Sequence, residues 1–184
     1  MLDAAGVPFT ARAASIDEQS VKRALQADRV APRDIADRLA ELKAVRVSAA
    51  EPDALVLGSD SIVVLADGTI LDKPESREQA RAHLSAMSAT RVALISAAVI
   101  AEAGRPVWRH VASAALDVRP LSDVFLDAYL DAEWPAIAGC VGCFRIEGPG
   151  VQLFARIVGD HFTILGMPLL PVLDYCRLRG IMAA

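Results

Sequence analysis

The sequence lacks the features of membrane-inserted, secreted and nucleic-acid-binding proteins. Its 184 residues contain no apolar run of about 18 residues, the length needed to span a bilayer. The N-terminus has no basic segment followed by an apolar core, so we expect no signal peptide. The formal net charge of −4 argues against a general nucleic-acid surface, which needs clustered Lys and Arg. We therefore expect a soluble cytoplasmic protein that binds neither membranes nor nucleic acid.

Cysteine and histidine are also scarce, which limits thiol and metal chemistry. The three histidines share no ligand spacing, and only His161, which follows a Gly-Asp pair, is a candidate site member. Cys140 and Cys143 form a C-x-x-C, but their segment is apolar, flanked by glycine and predicted as a strand. This context favours two small buried residues, with a thiol or metal module as the alternative. The sequence contains neither a P-loop nor a G-x-G-x-x-G motif.

Apolar residues make up 54% of the chain, and segments with helical periodicity alternate with segments that predict β-hairpins. A capping-box spacing at residues 15–18 predicts a helix to residue 25. Two further helices are predicted to begin at capping serines, one at 76–87 capped by Ser76 and one capped by Ser122-Asp123. The other predicted elements are a helix at 32–47, a hairpin at 55–71 with its turn at 67–68, strands at 91–101 and 107–118 with a turn at 104–106, strands at 140–146 and 151–158, and a helix from 168 to before 180. We expect an α/β protein with a mixed twisted sheet and flanking helices, forming a single domain over residues 1–184.

Asp60 is the most unusual residue because it interrupts a strongly apolar strand. An ionised carboxylate there is costly unless a cation or hydrogen-bond donors meet it. Lys43 lies on or beside the apolar face of the 32–47 helix, Lys73 follows the hairpin, and Glu18 and Glu147 lie beside segment ends. Such a set suits metal-assisted attack of water on a phosphoanhydride, with Mg²⁺ or Mn²⁺ on the carboxylates and lysines balancing phosphate charge. A structural acid with solvated lysines is the alternative.

Several short motifs, taken in order, resemble the Maf family of nucleotide pyrophosphatases. Each motif alone is weak, but their order and intervals together are specific and cover nearly the whole chain. The matching segments are LDAAGVPF at residues 2–9 (family L-x-x-x-G-x-x-F), IDE at 16–18 (V-D-E), LKA at 42–44 (helical K-A), GSDSIV at 58–63 (G-x-D-[TQS]-x-V), KP at 73–74 (G-K-P), and GD at 159–160 followed by GMPL at 166–169 (G-D…G-L-P-L).

One further segment resembles a branch of that family. CVGCFRIEGPG at residues 140–150 is similar to the C-x-G-S-F-x-x-E-G-x-G of the branch that hydrolyses 7-methylguanosine triphosphate. The branch acting on dTTP and UTP usually has Gln where Glu147 stands, and an acid can accept from the donor edge of a guanine-type base. Ser61 stands where the first branch generally has Gln and the second Thr. The resemblance therefore favours 7-methyl-GTP, with dTTP or UTP as the alternative.

The resemblance implies an α/β fold with two lobes around a cleft, like that of inosine triphosphate pyrophosphatases, often as a homodimer. It implies hydrolysis of a nucleoside triphosphate to the monophosphate and pyrophosphate with a divalent metal, Mg²⁺ or Mn²⁺. The implied roles are Asp60 as proton acceptor and metal ligand, Glu18 as metal ligand, Lys43 and Lys73 as triphosphate ligands, and Ser61 and Glu147 as readers of the base.

The chain also departs from the family pattern. The family begins with an apolar strand and a phosphate-contacting S-x-S-x-R-R motif, and this sequence starts just after them. Asp72 replaces the glycine of G-K-P, and in the family's S-G-x-x-H segment Ala89 replaces Gly and Val92 replaces His. We therefore expect weak or no pyrophosphatase activity from the chain as written; turnover equal to that of a version extended upstream by the motif would contradict this. A catalytically impaired relative that binds nucleotide or a partner and acts as a regulator is the alternative function.

Overall fold

The chain folds into alternating helices and strands, and the computed structural model describes residues 1–183. The strands are β1 (Val56–Val64), β2 (Ile70–Leu71), β3 (Arg91–Glu102), β4 (Arg105–Val118) and β5 (Phe154–Val158). The helices are α1 (Glu18–Ala27), α2 (Pro32–Ala50), α3 (Arg77–Met87), α4 (Asp123–Glu133), α5 (His161–Ile164) and α6 (Leu169–Leu178), with short 3-10 segments at Asp3–Ala5 and Pro149–Leu153. The strands form one sheet in the order β2-β1-β3-β4-β5, which confirms the predicted α/β class.

Tight turns join neighbouring strands of this sheet. The antiparallel pair of β1 and β2 is closed around Gly68, whose φ of 89° is left-handed, and the predicted turn at 67–68 is confirmed. Strands β3 and β4 are joined by Ala103 and Gly104, with φ of 47° and 74°. Two positive φ angles are what a two-residue type I′ hairpin requires. This second turn begins one residue earlier than predicted, so Arg105 already belongs to β4.

The chain divides into two compact units. The first comprises Met1–Ser61, Ser96–Ala112 and the segment from His161 onward. The second comprises Ile62–Ile95 and Ser113–Asp160. The divisions fall inside β1, β3 and β4, so each of these strands contributes residues to both units.

In the first unit, α2 packs closely on β1. Pro32 stands at the first helical position, where its missing N–H costs nothing. A Cβ on Gly58 would overlap the backbone of α2, at the carbonyl oxygen of Ala40 and 2.7 Å from the amide nitrogen of Ala44. Glycine at this strand position therefore permits direct contact between the two backbones. A hydrophobic cluster also forms around the buried face of α6. Its buried residues are Val7, Ala98, Met167, Leu169, Val172, Leu173 and Cys176.

In the second unit, α3 and α4 begin at the predicted serine caps. Ser76 Oγ accepts from Gln79 N at 3.2 Å, and Ser122 Oγ accepts from Phe125 N at 3.2 Å. Their buried residues are Ala80, Leu84 and Met87 from α3 and Leu126, Tyr129, Leu130 and Glu133 from α4. Among residues 1–183, no helix combines the length and apolar character needed to cross a bilayer.

Two element predictions are wrong. Residues 140–146 form turns rather than a strand, because Gly142 and Cys143 have φ of 78° and 58° and leave the extended region. Strand β5 begins at Phe154 rather than 151, because the chain first makes a 3-10 turn from Pro149. At α1, the N-cap is Asp17, whose Oδ1 accepts from Ser20 N at 3.0 Å, whereas the predicted cap Ser15 has a φ of 49°.

Replacing Ala89 by glycine is expected to stabilise the protein. Ala89 follows α3 with a φ of 57°, a conformation that strains a residue bearing a Cβ. Relief of that strain exceeds the extra backbone entropy of glycine, so we expect a gain of about 0.5–1 kcal/mol in the free energy of unfolding. Chemical denaturation measures it. As a control, Ala82→Gly on the exposed middle of α3 should cost about 1 kcal/mol, and a loss of stability in Ala89→Gly would contradict the argument.

Candidate functional site

Three charged side chains from three elements meet in the first unit. Lys43 Nζ of α2 donates to Asp60 Oδ1 of β1 at 2.7 Å and to Glu18 Oε2 of α1 at 3.1 Å. It also lies 3.4 Å from the carbonyl oxygen of Ser59. The Asp60 side chain is only 10% exposed, Lys43 20% and Glu18 42%. The ammonium that an acid in an apolar strand requires is therefore Lys43.

Local structure explains why these side chains converge. Glu18 is the first residue of α1, fixed there by the Asp17 cap. Asp60 follows Gly58 by two residues, so the strand that carries it is the one held against α2. Lys43 is adjacent to Ala44, one of the two α2 residues that touch Gly58. The close packing of helix on strand thus places the ammonium beside the carboxylate.

The charges of this cluster reinforce one another. Burial alone would lower the pKa of Lys43, but the charge of Asp60 and the hydrogen bonds to Asp60 and Glu18 outweigh it and raise that pKa above its ordinary value. Lys43 is therefore an ammonium at neutral pH. It neutralises part of the negative charge of two carboxylates that would otherwise repel each other.

The donor set of this cluster fits a hard divalent cation held together with a ligand. No group of three His, Cys, Asp or Glu in the described part of the chain could bind a metal by itself. Mg²⁺ is usually bound by one or two carboxylates together with water and substrate phosphates. Asp60 and Glu18 supply two carboxylates within reach of the same lysine, which matches that requirement.

A cavity of about 800 Å³ borders this cluster within the first unit. Glu18, Lys43 and Ser59 line it, together with Arg12 and Met167. Its volume falls in the range of about 300–1,000 Å³ typical of small-molecule sites. The cluster is therefore accessible to a ligand of nucleotide size.

Ser61 is part of a hydroxyl network that the sequence reading missed. Its Oγ lies 2.7 Å from Ser96 Oγ and donates to Gly166 O at 3.0 Å. Ser96 Oγ donates to Thr163 O at 2.8 Å, and Ser59 Oγ to Gly166 O at 3.0 Å. These serines fasten the 163–166 turn to the sheet. The signal in the sequence was Ser96, which, like Asp60, is a polar residue inside an apolar strand.

Lys73 and Glu147 belong to the second unit, and both are exposed. Burial, and next the charge of Glu147, raise the pKa of the Cys140 thiol, while the charges of Arg145 and Lys73 lower it. These effects place both predicted residues in the surroundings of Cys140. His161 is exposed at the start of α5.

The cysteines are free thiols. Cys143 is buried, as predicted, and burial raises the pKa of its thiol to about 12, whereas Cys140 is half-buried. Cys143 Sγ lies 3.7 Å from His83 Nδ1. A thiol with so high a pKa is a poor nucleophile and metal ligand at neutral pH.

The chain is similar to known proteins over nearly its whole length. A family model described as "Maf-like protein" matches residues 1–178. The chain is 48% identical over 181 residues to a protein of Sphingopyxis alaskensis named "Nucleoside triphosphate pyrophosphatase", covering 98% of this chain and 91% of that protein. Proteins of the same name from Ruegeria pomeroyi and Caulobacter vibrioides are each 49% identical, with 98% of this chain covered and 90% and 89% of theirs.

Proposed function

This chain belongs to the Maf-like protein family, and we propose that it hydrolyses a nucleoside triphosphate to the monophosphate and pyrophosphate. The observation that carries the proposal is the Lys43 ammonium joining the carboxylates of Asp60 and Glu18 beside a cavity of nucleotide size. Hydrolysis of a phosphoanhydride depends on positioning and on balancing phosphate charge rather than on covalent chemistry. A largely buried acid, a lysine and a second carboxylate provide both.

In this proposal Asp60 is the proton acceptor. Its largely buried carboxylate takes the proton of the attacking water, while Lys43 fixes its orientation through the 2.7 Å hydrogen bond. Asp60 and Glu18 would also hold Mg²⁺ or Mn²⁺, which when bound neutralises phosphate charge. Glu18, the more exposed of the two acids, can turn toward such an ion without uncovering buried surface.

The lysines would hold the phosphates. Lys43 keeps its positive charge because its pKa is raised, so it can bind phosphate oxygens in the cavity that it lines. Lys73 presents an exposed ammonium after β2. Each is a compact point charge of the kind that binds phosphate oxygens.

For the base, we propose 7-methylguanine. Glu147 has an exposed carboxylate that only accepts hydrogen bonds when ionised. Guanine-type bases present N–H donors on one edge, and 7-methylation adds positive charge to the ring. Both properties favour a carboxylate over an amide. Ser61, whose proton already serves Gly166 O or Ser96, would contribute mainly as an acceptor.

A panel of canonical and modified triphosphates, assayed for pyrophosphate release with Mg²⁺ or Mn²⁺, tests this function. We expect 7-methyl-GTP to be hydrolysed with a higher kcat/KM than dTTP or UTP. Glu147→Gln should lower that preference by about 10–100-fold, the worth of one hydrogen bond to a charged group. Glu75→Gln, at another exposed glutamate of the second unit, is the control.

The other outcomes of this panel are equally informative. Preference for dTTP in the wild type would contradict the role of Glu147. Nucleotide binding without pyrophosphate release would favour the regulatory alternative over the enzyme.

A further inference from the structure

The segment that carries Glu147 is a tight turn built on the backbone of Arg145. Gly148 N donates to Arg145 O at 3.1 Å, and Val151 N donates to Gly148 O at 3.2 Å. A Cβ on Gly150 would lie 2.5 Å from Arg145 O and 2.8 Å from Arg145 N. The returning chain therefore lies directly against Arg145, and Glu147 stands at the tip between them.

The side chain of Arg145 is fixed to the end of α4. Its Nε and Nη2 donate to Glu133 Oε2 at 3.0 and 2.9 Å, and Nη2 also donates to Oε1 at 3.1 Å. Such a two-pronged pair restricts both side chains to one geometry. Glu133 is the last residue of α4, so the base of the turn is connected to a regular helix.

Because Glu133 is buried, its carboxylate depends on the ion pair with Arg145. Glu133 is only 3% exposed, and a buried carboxylate needs its cation in place. Arg145 itself is 40% exposed and so extends from the buried acid toward solvent. The hydrogen bond and charge of Glu133, and also the charge of Glu147, raise the pKa of Arg145. The guanidinium is thus hydrogen-bonded to the buried acid, and the charge of the acid at the tip also favours its protonated form.

We propose that Glu133 and Arg145 are positioning residues that hold the Glu147 carboxylate in the orientation that selects the nucleotide. The pair anchors the base of a turn that has no strand or α-helix of its own, and its guanidinium carries the charge opposite to that of Glu147. This rests on the proposed function, because Glu147 selects a substrate only in a chain that hydrolyses nucleotides. The role is distinct from catalysis, since Asp60 and Lys43 lie in the other unit.

The test is Arg145→Lys, which keeps the positive charge but loses the two-pronged geometry. We expect the preference for 7-methyl-GTP over dTTP, as the ratio of kcat/KM values, to fall by about ten-fold, the worth of one charge-assisted hydrogen bond. The loss should be in KM for 7-methyl-GTP, with kcat retained. Amide hydrogen exchange at Gly148 and Val151 should accelerate. Glu133→Gln, which keeps the shape of the acid, should change both quantities in the same direction.

Arg77→Lys is the matched control, because Arg77 pairs with Asp131 on the surface of the same unit. It should alter neither the nucleotide preference nor the exchange at the turn. Unchanged exchange in Arg145→Lys, or faster exchange with an unchanged preference, would overturn the positioning role. If the wild type releases no pyrophosphate, the proposed function fails by itself. The ratio of binding constants for the two nucleotides then decides the role of the pair.

Discussion

Replacing Asp60 by asparagine is expected to lower pyrophosphate release by about 10²–10⁴-fold, the contribution of a general base. Asparagine has the same shape and can still accept the hydrogen bond of Lys43, now at 2.7 Å from Asp60 Oδ1. It cannot take a proton from water, and it is a poorer ligand for a divalent cation. The loss should be in kcat for every nucleotide that the wild type hydrolyses, and continuous detection of pyrophosphate measures it.

The control for this variant is Asp67→Asn. Asp67 lies in the β1–β2 turn, is exposed, and accepts from Thr69 N at 2.9 Å, a bond that asparagine also makes. We expect wild-type turnover from it. An Asp60→Asn enzyme that keeps the wild-type rate while remaining folded would remove Asp60 from the mechanism and leave it as a structural acid.

Replacing Gly58 by alanine is expected to have the largest effect on stability. The added methyl would meet Ala40 O and Ala44 N, which are backbone atoms of α2 and cannot rotate away. The helix must shift, so we expect a loss of about 1–3 kcal/mol or more in the free energy of unfolding. The same shift moves Lys43 away from Asp60, and because a displacement of about 1 Å can cost about 10²-fold in rate, kcat should fall as well.

Denaturant unfolding and turnover of the same preparation measure both effects. Gly139→Ala is the matched control, because a Cβ at Gly139 meets nothing within 4 Å. It should leave stability and rate close to wild type. If Gly58→Ala is as stable as Gly139→Ala, the direct contact of α2 with β1 does not constrain this part of the fold.

Much of the candidate site could be predicted because it lies on regular elements. The helical period placed Lys43 beside the apolar face of α2, and an acid in an apolar strand required a nearby cation. The 2.7 Å contact between Lys43 Nζ and Asp60 Oδ1 agrees with both inferences. The capping serines of α3 and α4 and the Asp67-Gly68 turn followed in the same way from local chemistry, which depends only on residues close in sequence.

The prediction of a strand at 140–146 is wrong because the conformation of this segment depends on distant partners. Its apolar composition resembles a strand, but the left-handed φ of Cys143 and the contact of Gly150 with Arg145 produce turns instead. Composition does not encode such tertiary effects. The burial of Glu133 could be predicted from the sequence, because helical spacing places it on the same face of α4 as Leu126, Tyr129 and Leu130. The ion pair of Glu133 with Arg145 could not be predicted, because no regular spacing in the sequence relates the two residues.

The serine network has a consequence for the order of events during synthesis. Ser61 and its acceptor Gly166 are separated by 105 positions, and the first unit draws on segments from both ends of the described chain. On the ribosome, the hydroxyls of Ser61 and Ser96 emerge long before Gly166 and Thr163, whose carbonyl oxygens accept from them. The second unit has all its residues available once Asp160 has been made. Completion of the unit that contains Asp60 therefore waits for residues that follow the whole of the second unit along the chain, and such distant closures are the slow part of assembling a domain.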